Sequence, residues 1–95
     1  MKYLSKHIKA DGHVETFERE DWAKFTLEEL QDYVGGYIEI IYLAGRGGSP
    51  NNDPTIMVVN EEGLLDKLKY NEKAAEIALH GIVGDVLVTH KDLIE

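Results

Sequence analysis

Two apolar runs rich in branched and aromatic side chains, YIEIIYL (Tyr37–Leu43) and TIMVVN (Thr55–Asn60), constrain this chain more than any other feature. Branching at Cβ favours extended backbone, and runs this short and this apolar suit strands covered on at least one face. The intervening LAGRGGSPNNDPT holds both prolines, Pro50 and Pro54, where no ladder amide is needed. The pair therefore reads as an antiparallel hairpin with Tyr37–Leu43 as a central strand.

Helix signals surround it. In FTLEELQDYVGG, Thr26 followed by Glu29 makes a capping box, with Phe25 and Leu30 as its hydrophobic staple. Leu27, Leu30 and Val34 recur at helical spacing, and Gly35 can take the left-handed angle that ends a helix. Asn71 caps a second helix through EKAAEIALH, stopped by Gly81. Its buried stripe is Ala74, Ala75, Ile77 and Ala78, with Leu79 at the margin. IVGDVLVT (Ile82–Thr89) reads as a last strand followed by a short polar tail. At the other end, Asp11-Gly12 reads as a two-residue turn joining KYLSKHIK to HVETFER. Ninety-five residues, 43% of them apolar, support one core, so residues 1–95 form a single domain. Its expected class is α+β: an antiparallel-rich sheet of four to five strands with two short helices packed on one face.

Charge and composition narrow the functions. A net charge of −8 repels phosphate backbones, so direct nucleic-acid binding is not expected. The same charge suits solubility, or imitation of nucleic acid toward a basic protein. No run is long and apolar enough for a signal peptide or a membrane span. Absence of cysteine removes thiolate chemistry and fits a reducing cytoplasm.

The candidates for chemistry are few. GRGGSPNND lacks the lysine and the following helix of a phosphate-binding loop, and it does not match the dinucleotide fingerprint. It is read first as a hairpin loop and second as a grip on a small anionic ligand. In that second reading Arg46 donates to the anion, while Ser49, Asn51 and Asn52 supply adaptable hydrogen bonds. A two-residue turn pairs Ala10 with His13 and His7 with Thr16, which puts His7 and His13 on opposite faces and denies them a shared metal. His80 falls in the last turn of the second helix, as a cap, and His90 lies beyond the last strand near Asp92. Neighbouring acids such as Glu61 and Glu62 read as solvated faces. No nucleophile elbow is present, so neither catalytic residues, metal nor cofactor is expected. Trp22 packs beneath the first helix or stands out as an anchor, the former being the plainer reading.

In three blocks, LEELQDYVGGYIEII, MVVNEEGLLDKLKYNEKAAEIA and IVGDVLVT, the chain resembles a family of small uncharacterised proteins of phages, prophages and conjugative elements. The likeness runs from about Thr26 to Thr89. It implies that Val34 to Glu39, Asn60 to Gly63, Asn71 and Gly84-Asp85 matter to the family, and it implies no activity. Glu39 and Asp85 are acids inside apolar strands. They either form one polar patch with Asn60 at a sheet end or, as the more natural reading, face solvent. The expected role is a non-enzymatic accessory protein acting by binding in the host cytoplasm, as an acidic inhibitor of a host defence protein or a nucleic-acid mimic. The alternative is capture of a nucleotide-like signalling molecule by the Gly-rich loop. Homo-oligomers are a further expectation, since sheet edges invite pairing between copies.

Overall fold

The computed structural model describes residues 2–43 and 55–94, so Arg46, Ser49, Asn51 and Asn52 lie outside the described residues. Five strands build one sheet: β1 (Lys2–Ile8), β2 (Val14–Glu20), β3 (Ile38–Tyr42), β4 (Thr55–Asn60) and β5 (Val86–His90). Their order is β2-β1-β5-β4-β3, and each neighbouring pair is antiparallel. With helices α1 (Leu27–Val34) and α2 (Glu72–Ala78), the fold is α+β.

The helices do not share a face of the sheet. Successive side chains of a strand point to opposite sides. Ile56 and Val58 of β4 pack with Leu30 and Val34 of α1, whereas Met57 and Val59 pack with Ala74, Ala75 and Ala78 of α2. The molecule thus has three layers, with β4 and β5 buried between the helices.

β3 is an edge strand rather than the central one expected. Its apolar residues are explained by coverage of its faces, with Ile38 and Ile40 toward α1 and Ile41 toward α2. β5 is central instead, and it joins the two halves of the sheet. In that joint Ser5 and Thr89 are both buried, and their hydroxyls satisfy one another at 2.8 Å.

The N-terminal hairpin forms in a different register. Ile8 opposes Val14 and His7 opposes Glu15, and the closing turn runs from Lys9 to His13 with Gly12 at φ 101°. Lys9 N donates to His13 O at 2.8 Å, and the Asp11 carboxylate accepts from His13 N at 2.9 Å, which favours this wider turn. A slip of one residue exchanges faces, so the opposite-face argument for His7 and His13 does not hold. His7 Nε2–H instead points to the Tyr33 carbonyl at 3.1 Å, and His13 stays exposed beside Asp11.

α1 has its capping box and ends at Gly35 (φ 78°), but Leu27 is exposed and only Leu30 and Val34 of the stripe are buried. Phe25, not Trp22, packs beneath it; Trp22 is 79% exposed. Arg19 of β2 fixes the helix start, with Nη2 3.0 Å from the Glu29 carboxylate and the guanidinium 4.0 Å from the Phe25 ring centre. α2 stops before Gly81, because Leu79 itself takes the left-handed conformation (φ 63°). β5 begins only at Val86, since Gly84 turns the chain at φ 80° while Val83 bridges Tyr70. The polar tail is packed: a 3₁₀ turn, Lys91–Leu93, buries Leu93, and Ile94 bridges Phe25.

Candidate functional site

The polar residues singled out in the sequence do not converge. Asn60 is buried, its Nδ2 donating to Val34 O at 3.2 Å and its Oδ1 accepting from Glu62 N at 2.8 Å. It ties the end of α1 to the turn after β4. Gly36 leaves room for that amide, since a Cβ there would sit 2.9 Å from Asn60 Nδ2. Asp85 accepts from Ala10 N at 2.9 Å, bracing the β1–β2 turn. Glu39 stands exposed on the α2 side of β3, opposite Val59. One polar patch of Glu39, Asn60 and Asp85 is therefore absent.

Asn71 is a second brace. Only 1% exposed, it caps α2 through Oδ1 (Ala74 N, 3.1 Å) while Nδ2 donates to Gly84 O at 2.8 Å and Ile8 O at 3.0 Å. The Gly84-Asp85 pair and Asn71 thus work together in locking β1, α2 and β5.

The histidines are dispersed too. His80 lies beyond the end of α2 rather than in its last turn, with Nδ1 3.2 Å from Gly81 O. His90 stacks on Tyr3 (ring centres 4.1 Å apart) and accepts from Asp92 N at 3.0 Å, capping the 3₁₀ turn. Among the described residues no three His, Asp or Glu side chains come together as metal ligands do. A cavity of about 350 Å³ between the hairpin turn and the start of α2 is lined by Lys9, Lys69 and Lys73. Lys9 pairs with Glu15 at 3.2 Å, Lys73 donates to Gly12 O, and Asp11 and Glu72 share the walls. Its positive charge is largely balanced.

What stands open is apolar. After β4 the chain coils through Glu61–Lys67, held by Asp66 N to Glu62 O (2.9 Å) and Leu68 N to Gly63 O (3.0 Å). Leu64 and Leu65 project from this coil at 83% and 80% exposure. With Ile41, Val59 and Ile82 they line a groove of about 390 Å³ whose far wall is His80-Gly81. The same two residues border a neighbouring groove of about 420 Å³, lined by Tyr70 and by Leu79, itself 72% exposed. The two grooves share His80 and Gly81, just past the end of α2. Glu39, Glu61, Glu72 and Glu76 stand in their walls, and among the described residues neither groove is lined by a lysine or arginine.

Sequence reading missed this surface, because Leu79 sits beside the apolar stripe of α2 and leucine is ordinarily a core residue. The one available signal was LLDKLKY, an apolar pair that neither helical nor strand spacing could place. Leu79 adds a physical mark: a leucine in the left-handed region costs about 1–2 kcal/mol relative to ordinary backbone, where glycine is the usual helix terminator.

A three-layer α+β domain, braced by buried asparagines and open at one acidic-rimmed apolar groove system, is the class of protein that fold and site define. Residues 6–93 match the domain of unknown function DUF3846, and the chain belongs to that family. The match takes in most of the N-terminal hairpin, which lay outside the residues that carried the resemblance. No curated protein and no solved structure matched the chain.

Proposed function

We propose that this protein acts by binding, without chemistry of its own, and that its partner is a host protein with an apolar surface flanked by lysine or arginine. The observation that carries this reading is the set of exposed leucines, Leu64, Leu65 and Leu79, around grooves lined with carboxylates and, among the described residues, no lysine or arginine. Contiguous exposed apolar surface rimmed by polar groups marks interaction sites. A net charge of −8 draws a basic partner and orients its approach. The resemblance of the three sequence blocks to small phage, prophage and conjugative-element proteins supports placing this encounter in a host cytoplasm, as inhibition of a defence protein.

Affinity capture from host lysate tests it, with wild type beside Leu64→Ser and Leu79→Gly. A basic protein retained at low salt by wild type and lost in both variants is the expected result. Equal retention by all three chains, or no protein retained by wild type, refutes it.

A further inference from the structure

β3 offers a second kind of recognition through its backbone. Glu61 N donates to Tyr37 O at 2.8 Å and Leu43 N to Thr55 O at 3.1 Å, in a register where Ile38 opposes Asn60. In an antiparallel pair the hydrogen-bonded positions alternate. The odd-numbered residues of β3 therefore bond to β4, and the N–H and C=O groups of Ile38, Ile40 and Tyr42 point away from the sheet. Among the described residues no strand pairs with that side. An apolar edge of this kind is a template for another strand.

We propose that the occupant is β3 of a second copy, paired antiparallel about a two-fold axis at Ile40. With Ile40 opposite Ile40, all five strand residues are matched: Ile38 meets Tyr42 of the second copy, and Glu39 meets its Ile41. The outward groups of Ile38, Ile40 and Tyr42 then satisfy their counterparts in both directions. An axis one residue away, at Glu39, sets Glu39 directly against Glu39, and like charges so placed destabilise a sheet. The other edge is unsuited to self-pairing, since β2 (VETFERE) carries three glutamates to the one on β3. Closed two-fold pairing is also the commonest symmetry of oligomers. Because directly opposed residues share a face, both copies of α2 and both groove systems lie on one side of a continuous ten-stranded sheet.

Light scattering over micromolar to millimolar concentrations, with amide hydrogen exchange by NMR, tests the pairing. The expected mass rises toward twice the 10.7 kDa of one chain. The Ile38, Ile40 and Tyr42 amides gain protection in step with it. Added salt strengthens the association by screening two chains that each carry a net charge of −8. Tyr42→Pro deletes an outward amide that β4 does not use, and Tyr42 is an exposed side chain, so the subunit keeps its ladder and returns to the one-chain mass. Tyr42→Lys, which removes no amide and sets an ammonium against Ile38, has the same effect and serves if the proline variant does not fold. A one-chain mass at every concentration overturns the proposal. So does a dimer in which those three amides stay unprotected, or one that persists in the folded variants.

Discussion

Replacing Asn71 separates two accounts of what this residue does. If it were only a helix cap, Asn71→Ala would cost about 1 kcal/mol, and Asn71→Asp almost nothing, because aspartate and asparagine cap equally well. The structure adds the two bonds from Nδ2 to Ile8 O and Gly84 O at a site only 1% exposed. Each of these two hydrogen bonds is worth about 1 kcal/mol net, so Asn71→Ala loses roughly 3 kcal/mol in all. For a domain of this size each kcal/mol is worth about 4–8 °C in Tm, giving a fall of about 12–24 °C. Asn71→Asp loses at least as much as the alanine variant, since it aims a carboxylate at two carbonyl oxygens. Urea unfolding followed by far-ultraviolet circular dichroism is the assay; Trp22 is too exposed to report on the core. An aspartate variant within about 0.5 kcal/mol of wild type would refute the bracing role.

Three other changes test separate parts of the structure. Leu79→Gly relieves a left-handed leucine and should raise stability by about 0.5–1 kcal/mol by thermal melting, after the entropy of glycine is subtracted, while weakening partner capture. Gly84→Ala meets a φ of 80° and places a Cβ 2.8 Å from Leu68 Cδ1. A loss of about 1–2 kcal/mol in urea unfolding is expected, the leucine tip yielding but the backbone strained. The Glu29 carboxyl is held below its usual range, first by the Thr26 amide and then by Arg19, against the opposing effect of burial. A lowered folded-state pKa gives stability that is present above the unfolded-state value and lost as pH falls through the folded one. Glu29→Gln should thus be less stable than wild type near neutrality, with the gap closing in acid; a gap independent of pH contradicts the assignment.

How much of this was legible in the sequence depends on which interaction wrote the signal. Capping residues act locally, so Thr26-Glu29, Gly35 and Asn71 located both helix starts and one helix end. Apolar runs located β3 and β4, but apolarity reports whether a strand's faces are covered and is silent about its hydrogen-bonding edges. That is why β3 read as central. Placement of α1 and α2 on opposite faces was hidden for a related reason: every residue from Ile56 to Val59 is apolar, so β4 showed no alternation to assign a side. The register of the first hairpin follows a wider turn, held by Lys9 N to His13 O and by His13 N to the Asp11 carboxylate, against the two-residue turn that Asp-Gly commonly makes. At the candidate site the obvious polar residues proved structural. The leucines that stand open look in sequence like core.

The positions that carry the resemblance gain a physical meaning from these contacts. Val34 to Gly36 meets Asn60 to Gly63 through one asparagine amide, and Asn71 meets Gly84 through another. Each block therefore depends on the other across the fold, and changing either glycine disturbs a buried amide or its carbonyl. What those two braces hold in place is the coil carrying Leu64 and Leu65 on one side and the end of α2 carrying Leu79 on the other. The braces explain how a chain this small keeps three large side chains facing water: rigid backbone prevents the coil from collapsing onto Ile41 and Ile82 to hide them. A brace variant and a groove variant should consequently differ in kind. Gly36→Ala, whose Cβ presses on the Asn60 amide, should lower stability and partner capture together, whereas Leu64→Ser should lower capture and leave unfolding unchanged. If both lowered stability alike, the leucines would be part of the core and the groove would have no claim to a partner.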